Sequence, residues 1–252
     1  MHRTMLSLSL AVMPMFGGQP LVYRDGATTL AGYVARPVGT KASLPGVVIV
    51  HQWMGLTAHE RKVADDLAAL GYVALAADIY GEGVHPKNTQ EAGGLAGLYK
   101  GDRGLYRRRL ATAIDALKAQ SGVDPQRLAI IGFCFGGTGA LEAARAGLPV
   151  KGVVSFHGGL DVPADRAITP LTAKVLVCHG ADDPYVPAKE VALFQEEMRQ
   201  AKADYTFVAY GGAVHAFTQK EAGNDPSKGA AYQEAAARRS WQHLKDFLAE
   251  IF

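Results

Sequence analysis

The chain predicts one α/β domain in which a mainly parallel sheet lies between helices. Three observations carry that prediction. Short apolar runs bounded by turn residues alternate with longer segments of helical period along the chain. Several of the short runs are apolar throughout, the pattern of strands covered on both faces. The 252 residues are 48% hydrophobic and 20% charged, enough for a sizeable core and unlike disordered or fibrous compositions.

The elements follow in order. Residues 21–24 and 29–35 flank Asp25-Gly26, a hairpin signal. Pro45-Gly46 opens a buried strand over 47–50. Val63, Leu67 and Leu70 space a helix over 58–70, with Gly71 placed to cap it. Residues 73–77 form the next buried strand. Residues 81–101, rich in glycine and polar side chains, read as a loop covering the top of the fold. A helix follows over 105–119, and further strands are expected at 127–131, 150–156, 175–178 and 205–209. The helices at 138–146, 188–201 and 229–252 lie between and after them. Arg107-Arg108-Arg109 reads as a solvated helix face.

Charge and composition exclude several functions. There are 26 basic against 24 acidic residues, a net charge of +2, without the basic excess of a nucleic-acid binder. No apolar run reaches the roughly 18 residues a spanning helix needs, so no membrane partner is expected. Two cysteines make no disulfide scaffold, and no His/Cys/Asp/Glu cluster has zinc spacing. Residues 1–20 read as an N-terminal extension ahead of a domain over 21–252. Arg3 and the apolar stretch after it resemble a secretory signal, but Pro14 interrupts it and no A-x-A site follows. The alternation Leu6, Ser7, Leu8, Ser9, Leu10 also fits an extra edge strand. The expected compartment is the cytoplasm, or the periplasm or exterior if residues 1–18 act as a signal.

In a parallel sheet the chemistry lies at the carboxyl ends of the strands. The strongest signal there is Gly132-Phe133-Cys134-Phe135-Gly136-Gly137, a G-x-Nuc-x-G elbow between a strand and a helix, with cysteine as nucleophile. Gly132 and Gly136 leave room for the sharp turn, and Gly137 lets the helix pack closely. The helix N-terminus favours thiolate over thiol, and the Phe135 N–H points at a developing oxyanion. Such a nucleophile needs a base, and the base an orienting acid, in the chain order nucleophile, acid, histidine. Asp182 and Asp183 both follow the strand at 175–178, and His215 follows the last strand. Cys178, inside a strand, reads as inert core, and His51, His157 and His179 end strands near the site.

Together these motifs resemble the dienelactone hydrolase family: the elbow, the loop over 180–187 and Val214-His215-Ala216-Phe217, within a likeness running from about 21 to 247. The resemblance implies an α/β-hydrolase fold and a triad of Cys134, Asp183 and His215. Alignment on Val186-Pro187 selects Asp183 over Asp182. It also implies a second oxyanion donor, the Trp53 backbone N–H.

Two positions depart from the family. Gln52 stands where many members carry a glutamate that helps to form the thiolate, and glutamine cannot take the proton. Direct activation by His215 is the alternative. Gln219 stands where founding members place a carboxylate-binding arginine, with Lys87, Lys100 and Arg103 as loose candidates for the other. Gln52, Trp53, Met54, Phe135, Tyr185 and Phe217 are expected around the substrate, mostly as an apolar pocket.

The reading is a cofactor-free, metal-free thiol hydrolase of small esters or lactones, acting as monomer or homodimer and favouring short acyl groups. Its alternatives are carboxymethylenebutenolidase activity on anionic dienelactones, or a non-catalytic ligand-binding homologue.

Overall fold

Eight strands of the described residues join one sheet in the order β1-β2-β4-β3-β5-β6-β7-β8. The computed structural model describes residues 16–39, 43–163 and 169–252. The alternating segment expected at Leu6 to Leu10, and with it residues 1–15 of the extension, lies outside them. β1 (Phe16–Asp25) and β2 (Thr28–Pro37) pair antiparallel, Asp25 opposite Thr28, so the hairpin turns through Gly26 and Ala27. β1 begins earlier than expected and takes residues 16–20 of the extension into the sheet. β2 pairs antiparallel with β4 (Val73–Ala77). All later pairings are parallel, through β3 (Leu44–Val50), β5 (Val123–Phe133), β6 (Gly152–Phe156), β7 (Lys174–Gly180) and β8 (Tyr205–Tyr210).

The continuous apolar runs are explained by the two layers of core. In β3, Val48 and Val50 face one hydrophobic cluster while Val47 and Ile49 face the other. Side chains alternate across the sheet, so a strand covered on both faces must be apolar at every position. α1 (Ala58–Ala69) and α6 (Glu234–Ile251) cover one face through Val63, Leu67, Leu244 and Leu248. α3 (Arg103–Lys118), α4 (Phe135–Arg145) and α5 (Ala188–Gln200) cover the other through Tyr106, Leu110, Leu141 and Phe194. Thr57 caps α1 in a reciprocal box with Glu60.

Two local expectations are corrected. Residues 81–101 are not all loop: α2 (Thr89–Gly101) starts at Asn88, whose side chain accepts the Glu91 N–H. Ala92, Ala96 and Tyr99 make its buried stripe, while Gly93, Gly94 and Gly97 face outward. The glycines hid a helix held by its cap and its packing rather than by propensity. The arginine triplet is not a solvated face either. Arg109 is buried on Asp25, and Arg107 binds the buried Glu142 at 2.6 Å, so only Arg108 is exposed. Glu142 also takes Arg145 of the same helix at 2.8 Å, and the Arg107–Glu142 pair ties α3 to α4.

Candidate active site

β5 ends at Phe133, and Cys134 opens α4 with φ 53° and ψ −112°, a conformation L-residues rarely adopt. The turn is held by close packing. A Cβ on Gly132 would lie 1.9 Å from the Gly136 carbonyl oxygen, and one on Gly136 would lie 2.2 Å from the Val50 carbonyl oxygen. Backbone cannot yield at either point. Gly136→Ala is therefore expected to destabilise the fold by more than about 4 kcal/mol, seen as loss of soluble protein or collapse of the thermal transition.

The sequence-separated candidates meet here. His215 Nε2 is 3.0 Å from Cys134 Sγ, and His215 Nδ1 is 2.8 Å from Asp183 Oδ2. The other Asp183 oxygen accepts the Tyr185 N–H at 2.9 Å, so its position is fixed. Asp182, the rival acid, is exposed, and only its backbone N–H is held, on the Ala213 carbonyl. His215 is pinned by its own N–H on Gly229, and its carbonyl accepts the Ala231 N–H.

Burial alone would raise the Cys134 thiol. The hydrogen bond and charge of His215, the Lys100 ammonium and the Phe135 N–H outweigh it and bring the thiol below its usual value. Burial also disfavours charge on His215, but Asp183 and the Cys134 thiolate raise it to about 10. Both shifts run in the direction that favours a thiolate beside an imidazolium. The rate of Cys134 alkylation by iodoacetamide should rise with pH around an apparent pKa below that of a free thiol. Ester turnover should rise over the same interval and fall again near pH 10, where His215 loses the proton a leaving group needs.

The loop after β3 sits opposite. Gln52 is engaged within its own turn. Its side-chain oxygen accepts the Met54 N–H at 2.8 Å, and its carbonyl accepts the Gly55 N–H. Tyr80 donates to the Trp53 carbonyl at 2.9 Å. Among the described residues no partner takes the Trp53 N–H. His51, fully buried below, links Gln52 to Ile79 and is held uncharged chiefly by burial.

The expected aromatic pocket is only partly assembled. Trp53 and Tyr185 are exposed, at 36% and 60%, and Met54 is half-buried. The Phe135 ring is instead core, stacked on Tyr106 at 4.6 Å with its carbonyl accepting the Tyr106 hydroxyl. Phe217, expected beside the substrate, is 0% exposed and packs on Tyr210 and His157. Cys178 is fully buried, its thiol pushed up to about 12 by burial. Of the three loose cation candidates, Arg103 is committed to Asp161 and Glu142, while Lys100 is exposed and acts on Cys134 through its charge. Sequence reasoning missed Tyr80 and Thr218, whose partners come from distant loops. No group of three or more His, Cys, Asp or Glu among the described residues could hold a metal ion. No helix among them is long and apolar enough to cross a membrane.

A cysteine elbow closing a parallel strand, with aspartate and histidine delivered from the ends of β7 and β8, defines an α/β-hydrolase. The dienelactone hydrolase family model matches residues 30–252, and the chain belongs to that family. A Bradyrhizobium protein named "probable 2-oxo-3-(5-oxofuran-2-ylidene)propanoate lactonase" is 32% identical over 237 residues, 89% of this chain and 90% of that one. A solved dienelactone hydrolase-like promiscuous phosphotriesterase from metagenomic libraries is 38% identical, with TM-score 0.88, covering 95% of this chain and all of its own. A structure titled m3DLH is 37% identical with TM-score 0.91 and the same coverage. The protein is a hydrolase of the type acting on carboxylic ester and lactone bonds.

Proposed function

We propose that the chain hydrolyses small, mainly uncharged esters and lactones through a thioacyl-enzyme. The observation that carries this reading is the unbroken hydrogen-bond chain Asp183–His215–Cys134 at a strained elbow. The Cys134 thiolate attacks the carbonyl carbon, and the oxygen takes the negative charge. The Phe135 and Trp53 N–H groups stabilise that oxyanion. As the tetrahedral intermediate collapses, the His215 imidazolium gives its proton to the leaving alkoxide. A water then attacks the thioester and passes a proton to neutral His215, and the thiolate leaves as the acid is released. Asp183 orients His215 and stabilises its cation. Because His215 already lies 3.0 Å from the sulfur, thiolate formation needs no carboxylate at position 52. The Gln52 amide instead shapes the turn that presents the Trp53 N–H.

Tyr185, exposed and edge-on to the His215 ring at 5.3 Å, and the exposed Trp53 support apolar acyl or aryl groups. The name of the Bradyrhizobium relative supports lactones as substrates. The test compares p-nitrophenyl acetate, a simple aryl lactone and an anionic dienelactone. Higher kcat/KM for the two neutral substrates is the expected result. Turnover of the dienelactone alone would overturn the substrate preference, and turnover of none by folded protein would support the non-catalytic alternative.

A further inference from the structure

His157 follows β6 directly, and the Phe133–Phe156 register places it level with Cys134, one strand over. It is expensive to keep there. Its φ is +40°, strained for any residue but glycine, and its side chain is 1% exposed. Its Nδ1 has no hydrogen-bond partner among the described residues. A phenylalanine would fill the same space without stranding a buried nitrogen. What the imidazole adds is one contact: Nε2 lies 2.8 Å from the Thr218 hydroxyl. Thr218 belongs to the loop that carries His215 and that includes Ala216 at φ 57°, a second strained residue. The His157 ring also stands edge-on to the His215 ring, with centroids 5.2 Å apart at 67°.

We propose that the His157–Thr218 pair is a positioning clamp that ties the His215 loop to the end of β6 and sets the His215 ring against Cys134. Asp183 and Cys134 fix the two nitrogens of His215, but both bonds lie in the plane of its ring. The clamp supplies restraint from outside that plane and from the backbone that follows. It suits the task because it stays uncharged. Burial first, and then the neighbouring His215 and His59, hold His157 well below the usual histidine range, so it does not oppose the imidazolium. The inference rests on the proposed thiolate–imidazolium pair and deepens it.

The test measures iodoacetamide alkylation of Cys134 against pH, together with kcat and KM for p-nitrophenyl acetate. The proteins are wild type, His157→Phe, Thr218→Val, Thr218→Ser and the double variant His157→Phe/Thr218→Val. His157→Phe and Thr218→Val are each expected to lower kcat by about 10- to 100-fold with little change in KM, and to move the alkylation midpoint up towards that of a free thiol. Thr218→Ser, which keeps the hydroxyl, should behave as wild type, and the double variant should be no worse than either single one. Wild-type alkylation at an ordinary thiol midpoint would overturn the ion-pair reading itself. A depressed wild-type midpoint that persists in both single variants, with kcat unchanged or merely a lower Tm, would overturn the clamp alone. Should His157→Phe fail to fold, Thr218→Val against Thr218→Ser decides by the same criteria.

Discussion

Cys134→Ala is expected to abolish ester turnover while leaving the thermal transition in place. The sulfur is the group that forms the covalent bond under the proposed mechanism, and the other cysteine offers no substitute. Cys178 is fully buried, with its thiol pushed up to about 12. Cys134→Ser is the more informative partner. It keeps an oxygen nucleophile on the same elbow, yet a hydroxyl does not form the resting ion pair with His215, and turnover should fall at least about 100-fold. Steady-state kinetics of both variants check this. Wild-type rates in Cys134→Ala would move the chemistry elsewhere in the molecule.

Asp183→Asn is expected to lower kcat by roughly 10²- to 10⁴-fold. The carboxylate oxygen 2.8 Å from His215 Nδ1 orients the ring with Nε2 on the sulfur and, once the ring is neutral in the second step, keeps the remaining proton on Nδ1. An amide nitrogen turned to that position would demand the opposite tautomer. There is a second, signed consequence. Asp183 raises the His215 pKa, so its neutralisation brings the His215 value down from about 10. The alkaline limb of the kcat profile should move to lower pH, and the ion pair should occupy a narrower window. The Asp182→Asn variant should leave both rate and profile near wild type, since that residue is exposed and Asp183 is the carboxylate on the histidine.

The positions of the strands along the chain and the place of the chemistry could be read from the sequence because both depend on local pattern. The apolar run over 47–50 needs two covered faces, and the elbow at Gly132 to Gly136 needs small residues at fixed spacing. The choice of Asp183 over Asp182 needed the family resemblance, since both occupy the same turn. Other features were illegible for physical reasons. α2 is stabilised by the Asn88 cap and the buried stripe Ala92, Ala96 and Tyr99, while three outward glycines give it a loop's composition. Arg107 and Arg109 find carboxylates from α4 and the β1 end, contacts far away in sequence. Phe217 follows the candidate base and looked like pocket lining, but the turn at Ala216 directs it into the core against Tyr210. The strain at His157 is equally silent in the sequence, where it is one more histidine after a strand.

The central claim, that the chemistry passes through the Cys134 sulfur as a preformed thiolate, is tested most directly by titrating that sulfur out. The protein is treated with substoichiometric iodoacetamide near neutral pH, and the modified fraction of Cys134 is read by peptide mass against residual p-nitrophenyl acetate turnover. The account predicts that activity falls in direct proportion to Cys134 modified and reaches zero at full modification, with Cys178 untouched. Turnover that survives complete alkylation of Cys134 would contradict it.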